Sequence, residues 1–456
     1  MKRELRDAAQ ALGGELFGEN LTFDAVSTDS RSLEKGALFV ALHGPHFDGA
    51  EFVAAAAARG AVGALVDRRV PAALPQIVVP DSLRALQQLA TRWRSGFDIA
   101  LVAVGGSNGK TTAKEMTAAI LSRMGPCLAT QGNLNNHIGV PLTLMRLQAS
   151  HRTAVIEMGA NRIGDVAELV GLARPSVGLI TNAGAEHLEG FGDLDGVARG
   201  EGEMVAGLAA DATAIINADD AYAGYWRQLA GAQRVVTFGG PHVGSGERAD
   251  FSARDAVQGI EGGQFATRFT LTCPLGERRI ALHAGGAHNI VNALAAAAAA
   301  SAAGASLDHI VSGLADFRAV AGRLQLKAGA GGSWIIDDSY NANPGSVRAA
   351  LEVLRSLSGA TWLVLADMAE LGPHSGDSHA DMGRFARDCR VQRLFALGPE
   401  SAKAAAAFGP GAECFADAES LIRRVRAELK AGVTVLVKGS RVNRLERVVQ
   451  ALMGPR

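Results

Sequence analysis

Short apolar runs rich in valine, isoleucine and leucine alternate with segments of helical periodicity along most of the chain. The run at 99–104, for example, is followed by a glycine-rich loop and then by an amphipathic segment that starts at Thr111. Continuous apolar runs of this kind are typical of strands buried on both faces, and their alternation with helices favours parallel sheets with helical crossovers. The pattern therefore predicts an α/β fold.

Changes in this pattern divide the chain into three predicted domains. A small α/β N-terminal domain is predicted at 1–85, with its end marked by Pro71, Pro75 and Pro80. A central parallel-sheet domain follows at 86–317, and its β-rich, glycine-punctuated stretch between 250 and 283 predicts an antiparallel flap. The C-terminal domain, at 318–456, is predicted to be a second, Rossmann-like doubly wound sheet.

Alanine runs occur at 54–58, 295–300 and 404–407. Alanine is the best helix former, so we expect these runs on helix surfaces. The most apolar stretch, 289–305, is interrupted by polar residues and is too short to span a membrane. The first seven residues carry several charges and lack the apolar stretch of a secretory signal. We therefore expect no membrane-spanning or exported segment.

Composition narrows the class of protein. The 456 residues include 45 basic and 46 acidic side chains, giving a net charge of −1. This balance is typical of a globular protein and gives no overall attraction to nucleic acid or anionic lipid. The four cysteines are scattered, which predicts reduced thiols in a cytoplasmic protein rather than a zinc site or a disulfide framework. No feature requires a partner protein, and we expect a monomer.

The strongest local motif is GGSNGKTT at 105–112, between a predicted strand and a predicted helix. Its glycines allow backbone N–H groups to face a polyphosphate, Lys110 is placed to reach the β and γ phosphates, and Thr111 can bind Mg²⁺. The motif departs from the Walker A pattern because Val104 stands where the first glycine is required, so the loop is a shortened G-x-x-G-K-T form. The alternative is a glycine-rich turn that binds nothing. It is disfavoured because a lysine at a helix start opposes the helix dipole unless an anion is bound.

This loop resembles the nucleotide loop of the Mur ligases, the ATP-dependent amide-forming enzymes of peptidoglycan precursor synthesis. The resemblance covers essentially the whole chain, because further motifs follow in the family's order: TQGNLNNHIGVPLTLM (130–145), IEMGANRIGDVAEL (156–169), TNAGAEHLEGFG (181–192), GGAHNIVNALAA (285–296), IDDSYNANPGS (336–346), LADMAELG (365–372) and VKGSR (437–441). The combination of NLNNHIGVPLTL with DDSYNANP, together with STDSR (27–31) and FDGAEF (47–52), resembles the branch that adds D-alanyl-D-alanine to UDP-N-acetylmuramoyl-tripeptide.

The resemblance implies an ATP site shared between two domains. Asn289 and Asn292 stand three apart at a helix start, hence on one face, and resemble the family's adenine-binding pair; helix capping by Asn289 is the alternative. Arg323 resembles the phosphate-contacting arginine and Asp338 the ribose-binding aspartate, so the C-terminal domain would close over ATP. The phosphates are expected on Gly106, Ser107, Asn108, Gly109, Lys110, Thr111 and Thr112.

The same resemblance implies Mg²⁺ on Thr111, Glu157 and His187. Glu157 follows a predicted strand, where a carboxylate beside the phosphate loop suits Mg²⁺. A lone histidine is more often structural, so His187 depends on its motif. The chain departs from the family at Glu201, where most relatives carry a lysine carbamylated by carbon dioxide. We hypothesise that Glu201, although shorter, acts on the second metal directly or through water. Lys110, Glu157, His187 and Arg323 are the expected catalytic residues.

Substrate sites are implied on both outer domains. The N-terminal domain is expected to hold the uridine nucleotide, with Ser30 and Arg31 as candidates, although an arginine such as Arg31 can equally be a surface residue. The C-terminal domain is expected to admit D-alanyl-D-alanine. Its Asn341 and Asn343 are expected at the reacting ends, with turn formation before Pro344 as their alternative role. Substrate contacts are also expected from Asn135 and Asn136.

The implied reaction transfers the γ-phosphoryl group of ATP to a carboxylate, after which an amine attacks the acyl phosphate. Such chemistry needs positioning and charge neutralisation rather than a catalytic triad. Two alternatives stay open. One is a related Mur or folylpolyglutamate-type ligase, and the other is a non-catalytic protein that uses the nucleotide loop as a switch.

Overall fold

A computed structural model describes residues 3–45, 47–240 and 249–454. Three separate larger sheets, each covered by helices, form the three-domain α/β fold that the sequence predicts. The strands of these sheets occupy 15–78, 100–282 and 325–438. The domain boundaries at 85 and 317 stay predictions.

The N-terminal domain is built on a five-stranded sheet in the order β2-β9-β8-β5-β4, parallel except for β2. The first helix begins at Leu5, because Arg3 and Glu4 pair as a short strand with Thr22–Phe23. The elements are β1 (Arg3–Glu4), α1 (Leu5–Leu12), β2 (Glu15–Phe17), β3 (Thr22–Phe23), β4 (Ala25–Ser27), β5 (Ala37–Val40), β6 (His43–Gly44), β7 (Phe47–Asp48), α2 (Val53–Ala58), β8 (Gly63–Val66), β9 (Gln76–Val78) and α3 (Ser82–Arg94).

The central domain carries a nine-stranded sheet in the order β11-β12-β10-β13-β14-β15-β16-β17-β18. Neighbouring strands are parallel as far as β16, and β16, β17 and β18 pair antiparallel, which confirms the predicted flap as an extension of the same sheet. Its elements are β10 (Ala100–Gly105), α4 (Lys110–Leu121), β11 (Cys127–Ala129), α5 (Gly139–Leu144), β12 (Thr153–Glu157), α6 (Asp165–Ala173), β13 (Val177–Ile180), α7 (Leu188–Phe191), α8 (Leu194–Ala206), β14 (Thr213–Asn217), α9 (Ala223–Leu229), β15 (Arg234–Gly239), β16 (Phe251–Glu261), β17 (Gln264–Cys273), β18 (Gly276–Leu282), α10 (Ala287–Ala302) and α11 (Leu307–Asp316).

Helix α10 is buried on all sides over its alanine run. Residues 295–300 are fully inaccessible, and the helix packs against the central sheet, α4 and α11. The expectation that this run forms a helix surface is therefore wrong. Alanine serves here as the side chain small enough to let a helix fit between a sheet and two other helices, not only as a helix former.

The C-terminal domain has a six-stranded sheet in the order β19-β20-β24-β21-β22-β23, parallel except for β19, with separate apolar cores on its two faces. It is the predicted doubly wound sheet. The elements are β19 (Gln325–Ala328), β20 (Trp334–Asp338), α12 (Pro344–Arg355), β21 (Ala360–Ala366), α13 (Ser375–Asp388), β22 (Arg393–Leu397), α14 (Ser401–Phe408), β23 (Ala412–Phe415), α15 (Ala418–Arg426), β24 (Val433–Lys438) and α16 (Glu446–Leu452).

The flap joins the central and C-terminal domains. Phe265, on β17, is buried in the same apolar cluster as Leu324 and Ile336 of the C-terminal domain. Next to it, Gly286 lies so close to α12 that an added Cβ would stand 2.7 Å from a methyl carbon of Val353. These contacts hold the N-terminal end of α10 against the C-terminal domain.

Among the described residues, no helix is both long enough and apolar enough to cross a membrane.

Candidate functional site

The nucleotide-loop motif lies between β10 and α4, at the carboxyl edge of the central sheet. Gly106 and Gly109 adopt φ values of +111° and +86°, which side-chain-bearing residues rarely adopt. Space is limited as well, because a Cβ on Gly106 would stand 2.1 Å from Thr181 Oγ1 and one on Gly109 would stand 2.3 Å from Asn292 Oδ1. These two glycines are therefore needed for the shape of the loop.

Lys110, the first residue of α4, folds its ammonium group back over the loop. Its Nζ donates to the carbonyl oxygens of Gly106 and Ser107, the latter at 2.9 Å, and pairs with Glu186 Oε1 at 3.0 Å. Burial opposes the charge, but Glu186 and Glu201 outweigh it, and the pKa of Lys110 is raised. Lys110 is therefore charged, and the carboxylate of Glu186 occupies the position beside it where a phosphate is expected to bind.

Glu186 was not predicted as a site residue, although it lies in the TNAGAEHLEGFG motif at 181–192. The side chain is 11% exposed, and its second oxygen lies 3.4 Å from Asn343 Nδ2 of the C-terminal domain. Its position directly before His187, in the loop that follows β13, was the available signal.

Glu201, on α8, lies beside the nucleotide loop. Its Oε2 accepts a hydrogen bond from the Gly106 backbone N–H at 2.6 Å, and the residue is 3% exposed. Burial raises the pKa of Glu201 to about 7, while Lys110 lowers it and Glu186 raises it further. A carboxylate at this position thus stabilises the loop backbone, a role that sequence reasoning did not include.

Glu157 ends β12, as predicted, and is 3% exposed. Asn135 Nδ2 donates to its Oε1 at 2.8 Å, whereas its buried Oε2 has no hydrogen-bond partner. A buried carboxylate oxygen without a donor is costly unless a cation is bound, and oxygen ligands are those that Mg²⁺ prefers. This carboxylate therefore fits the expected Mg²⁺.

His187 lies farther along the same edge, with a left-handed φ of +49°. Its Nδ1 stands 2.5 Å from Glu370 Oε2 of the C-terminal domain. Within 3–45, 47–240 and 249–454, no three His, Cys, Asp or Glu side chains form a group that could hold a metal ion. Glu157, His187 and Glu201 are thus not gathered into one ligand set here.

Asn289 and Asn292 are both buried in the first turns of α10. Asn289 Nδ2 donates to the Gly285 carbonyl at 2.7 Å, and Asn292 Nδ2 donates to Asn289 Oδ1 at 3.1 Å. The alternative role for Asn289 as a helix cap is wrong, because Gly286 occupies the N-cap position. The amide of Asn292 lies against Gly109 of the nucleotide loop.

Two side chains of the C-terminal domain reach the nucleotide loop. Arg323 Nη2 donates to Thr111 Oγ1 at 3.1 Å, and the guanidinium lies 4.5 Å from the ring centre of Tyr340. Asn343 Nδ2 donates to Asn108 Oδ1 at 2.9 Å, while its own Oδ1 caps α12 by accepting from the Ser346 N–H at 2.8 Å. Asn343 therefore caps α12 directly before Pro344 and also contacts the nucleotide loop, whereas its expected contact with the reacting ends stays a prediction.

Asp338 and Asn341 lie close to these residues but are engaged within the C-terminal domain. Asp338 accepts from the Leu324 N–H at 3.1 Å and pairs with the buried Lys438 at 2.5 Å. Lys438 also donates to the Asn341 carbonyl at 3.0 Å. In this structure the carboxylate of Asp338 is bonded to Leu324 and Lys438 within the C-terminal domain, so any ribose contact would have to be shared with Lys438.

The remaining predicted residues have local roles in the structure. Arg31 is exposed, and its guanidinium donates two hydrogen bonds to Asp29, at 2.9 and 2.8 Å. These bonds, with a third from the Arg31 backbone N–H, lower the pKa of Asp29 to about 2. Ser30 is buried beside it in the N-terminal domain. Asn136 Oδ1 accepts from the backbone N–H groups of Ile138 and Gly139 at the start of α5. Within the described part of the chain, these contacts are local and do not reach the nucleotide loop.

A cavity of about 140 Å³ separates the central and C-terminal domains beside the nucleotide loop. It is lined by carboxylates, amides, one histidine, one arginine and small or apolar side chains: Glu186, His187, Asn341, Ala342, Asn343, Ala369, Glu370, Leu371, Ser440, Arg441 and Val442. The site as a whole can hold a polyphosphate on the loop with a second, small polar molecule next to it.

Comparison with protein families gives three matches along the chain. The model described as the Mur ligase family catalytic domain matches 22–94, the Mur ligase middle domain matches 104–300, and the glutamate ligase domain of the Mur ligases matches 322–441.

Individual relatives match over nearly the full length. The UDP-N-acetylmuramoyl-tripeptide–D-alanyl-D-alanine ligase of Escherichia coli is 45% identical, with 98% of each chain covered. The crystal structure of MurF from Acinetobacter baumannii superposes with a TM-score of 0.91 at 34% identity over 99% of each chain. MurF ligase from Thermotoga maritima, solved in complex with ADP, gives a TM-score of 0.82 at 26% identity, with 94% of this chain and 96% of that chain covered.

Proposed function

This chain belongs to the Mur ligase family, and from that premise we propose that it is the ATP-dependent ligase that joins D-alanyl-D-alanine to UDP-N-acetylmuramoyl-tripeptide in peptidoglycan precursor synthesis. The observation that carries the proposal is the contact of two C-terminal-domain side chains with the nucleotide loop, Arg323 on Thr111 and Asn343 on Asn108. An acyl phosphate must meet the acceptor amine in one site from which water is excluded, and these contacts bring the two domains together over such a site.

The chain's own residues position and neutralise charge in this reaction. Lys110 and Arg323 converge on the phosphate region from the two domains, and both guanidinium and ammonium groups stabilise charge on transferring phosphoryl oxygens. Domain contact also excludes water, which would otherwise hydrolyse an acyl phosphate. ATP is bound by the loop from Gly106 to Thr112, with Asn289 and Asn292 at its adenine and Asp338 at its ribose.

Mg²⁺ is proposed on Thr111 and Glu157, with His187 and Glu201 at a second ion. When bound, Mg²⁺ supplies charge neutralisation for the phosphate oxygens. The unpartnered oxygen of Glu157 supports the first position. For the second position, Glu201 would have to exchange its bond with the Gly106 N–H or use its other oxygen.

The Glu201 hypothesis has its own test. Glu201→Ala is expected to reduce turnover and weaken its Mg²⁺ dependence, and the wild-type enzyme should need no carbon dioxide. Glu203→Ala, a change of a neighbouring carboxylate that binds α6 backbone N–H groups instead of the loop, is the matched control. Unchanged turnover and unchanged Mg²⁺ dependence in Glu201→Ala would contradict the hypothesis.

Substrate placement follows the domains. We propose the uridine nucleotide on the N-terminal domain, near Ser30 and Arg31, and D-alanyl-D-alanine in the cavity lined by Asn341 and Asn343. Asn135 is proposed to act through Glu157, whose Oε1 it binds, and Asn136 through the start of α5. A monomeric state and a cytoplasmic location stay predictions.

The deciding experiment measures phosphate release with ATP and Mg²⁺, adding UDP-N-acetylmuramoyl-tripeptide and D-alanyl-D-alanine singly and together. Release that needs both, with a new amide in the product mass, is the expected result. Release with single amino acids or glutamate instead of the dipeptide would favour a related ligase. Binding of ATP without release under any pairing would favour a nucleotide-switched binding protein.

A further inference from the structure

The cavity between the central and C-terminal domains has an uneven charge distribution. Glu186 and Glu370 supply carboxylates, and Arg441 carries the one permanent positive charge among the described residues that line it. Its walls include the buried, small or apolar side chains of Ala342 and Leu371. Such a lining suits a small zwitterion with short apolar side chains rather than a second anion.

One end of this cavity lies at the nucleotide loop. Glu186 pairs with Lys110 at 3.0 Å, and Asn343 binds Asn108 at 2.9 Å. An acyl phosphate formed at the loop can be attacked only by an amine that enters at this end. The cationic end of an acceptor must therefore lie near Glu186, and its other charged end must lie elsewhere in the cavity.

Arg441 is the group placed to receive that other end. It follows β24 in the short turn at Arg441–Asn443, and its guanidinium lies 5.7 Å from the ring centre of Tyr340 and 3.4 Å from Glu446 Oε1. The side chain is 61% exposed, so it is free to turn toward a bound molecule. Guanidinium binds carboxylates through two parallel hydrogen bonds, which gives geometric selectivity as well as affinity.

We propose that Arg441 binds the terminal carboxylate of the acceptor dipeptide and so selects a free dipeptide acid, oriented with its amine toward Glu186. This inference rests on the proposed function and adds to it the direction in which the acceptor dipeptide lies in the cavity. Arg441 is a substrate-binding residue in this arrangement.

The test compares two acceptors on two enzymes. The wild-type enzyme is expected to use D-alanyl-D-alanine with a kcat/KM roughly 10- to 100-fold above that of D-alanyl-D-alaninamide, the value of one hydrogen-bonded charge. Arg441→Gln should lose most of this ratio, because its kcat/KM for the acid should fall while its kcat/KM for the amide stays unchanged. Arg441→Lys should keep part of it, since a charge remains without the two-pronged geometry.

Controls separate a specific effect from a general one. Arg447→Gln changes an exposed arginine on α16 outside the cavity and should leave the acid-to-amide ratio at its wild-type value. The KM for ATP should stay unchanged in Arg441→Gln; an equal rise in that KM would place Arg441 at the nucleotide and overturn the inference. An undiminished acid-to-amide ratio in Arg441→Gln would also overturn it.

Failure of the inference is distinguishable from failure of the proposed function. A wild-type enzyme that turns over the unmodified dipeptide, with an Arg441→Gln variant that discriminates equally well, refutes only the role of Arg441. A wild-type enzyme that never uses the dipeptide refutes both.

Discussion

The pair between Lys110 and Glu186 places a carboxylate of the protein where a phosphate of ATP is expected to bind. Both side chains are mostly buried, at 16% and 11% exposure, so each depends on the other for charge compensation. Bound nucleotide would replace Glu186 as the partner of Lys110, and the freed carboxylate would face the acceptor cavity that it lines.

This exchange predicts opposite effects of Glu186→Gln on stability and on nucleotide affinity. Without ligand, loss of the partner charge should lower the free energy of unfolding by about 3 kcal/mol. Binding of a non-hydrolysable ATP analogue should become tighter, because the phosphate no longer competes with a carboxylate. Thermal unfolding and calorimetric titration measure the two effects, with the exposed Glu189→Gln as the control. Weaker analogue binding in Glu186→Gln would contradict the exchange.

His288 gives a pH-dependent prediction. Burial lowers the pKa of His288 to about 4, against a raising effect of Asp338 and a further lowering by Lys438. The folded state therefore binds fewer protons than the unfolded state below about pH 6.5, and stability is lost as the pH falls from there toward 4.

Between pH 7 and pH 5 this effect costs roughly 1–2 kcal/mol. We expect the Tm of the wild-type protein to fall more steeply over that interval than the Tm of His288→Gln, which has no imidazole to protonate. Parallel curves for the two proteins would contradict the prediction.

How far the sequence predicts the site depends on where each contact originates. Lys110 and Glu157 were predictable because a strand, a loop and a helix next to each other in sequence determine their positions. Arg323 and Asn343 were recognisable only through family motifs, since their contacts on the loop span 212 and 235 residues. The bond from Gly106 to Glu201 could not be predicted, because it depends on how closely α8 packs under the loop.

At the scale of elements, strand β17 of the flap packs against β19 and places Phe265 in the core of the C-terminal domain. Its antiparallel pairing was predictable from glycine punctuation, but the insertion of Phe265 into another domain's core was not. A period-two pattern identifies which face of a strand is apolar, and it does not identify what covers that face.

Phe265→Ala should therefore weaken the attachment of the C-terminal domain more than it destabilises the central domain. Loss of a buried phenylalanine costs about 3–5 kcal/mol. We expect faster hydrogen exchange in β19 and β20 with little change in β10 and β12. Val257→Ala, at a 62% exposed position on β16, is the control on the same flap. Equal acceleration in both domains would contradict a local role of Phe265.

At the scale of the whole molecule, the described structure is a closed arrangement of the central and C-terminal domains. Few polar contacts at the site hold it closed, and Asn343 makes two of them, with Asn108 and Glu186. Domain closure of this kind completes a site and often controls turnover.

Two substitutions of Asn343 should separate closure from helix capping. Asp and Ser both cap helices, so α12 should stay intact in either variant. Asn343→Asp replaces a donor with a second carboxylate beside Glu186, and repulsion should favour an open form with a larger radius of gyration in solution scattering and a lower kcat. Asn343→Ser loses the donor without adding charge and should show a smaller change. Equal, wild-type-like scattering from both variants would show that closure does not depend on this contact.

The buried alanine run of α10 has a consequence for how this chain tolerates sequence change. Because residues 295–300 are fully buried between the sheet and two helices, volume rather than helix propensity limits substitution there. An additional methyl group would have to displace its neighbours. The stretch looks compositionally simple, yet its simplicity is imposed by the neighbouring sheet and helices. In a library of single substitutions, this run should therefore tolerate glycine and serine at most, whereas the alanines on the exposed face of α2 should accept nearly any residue but proline.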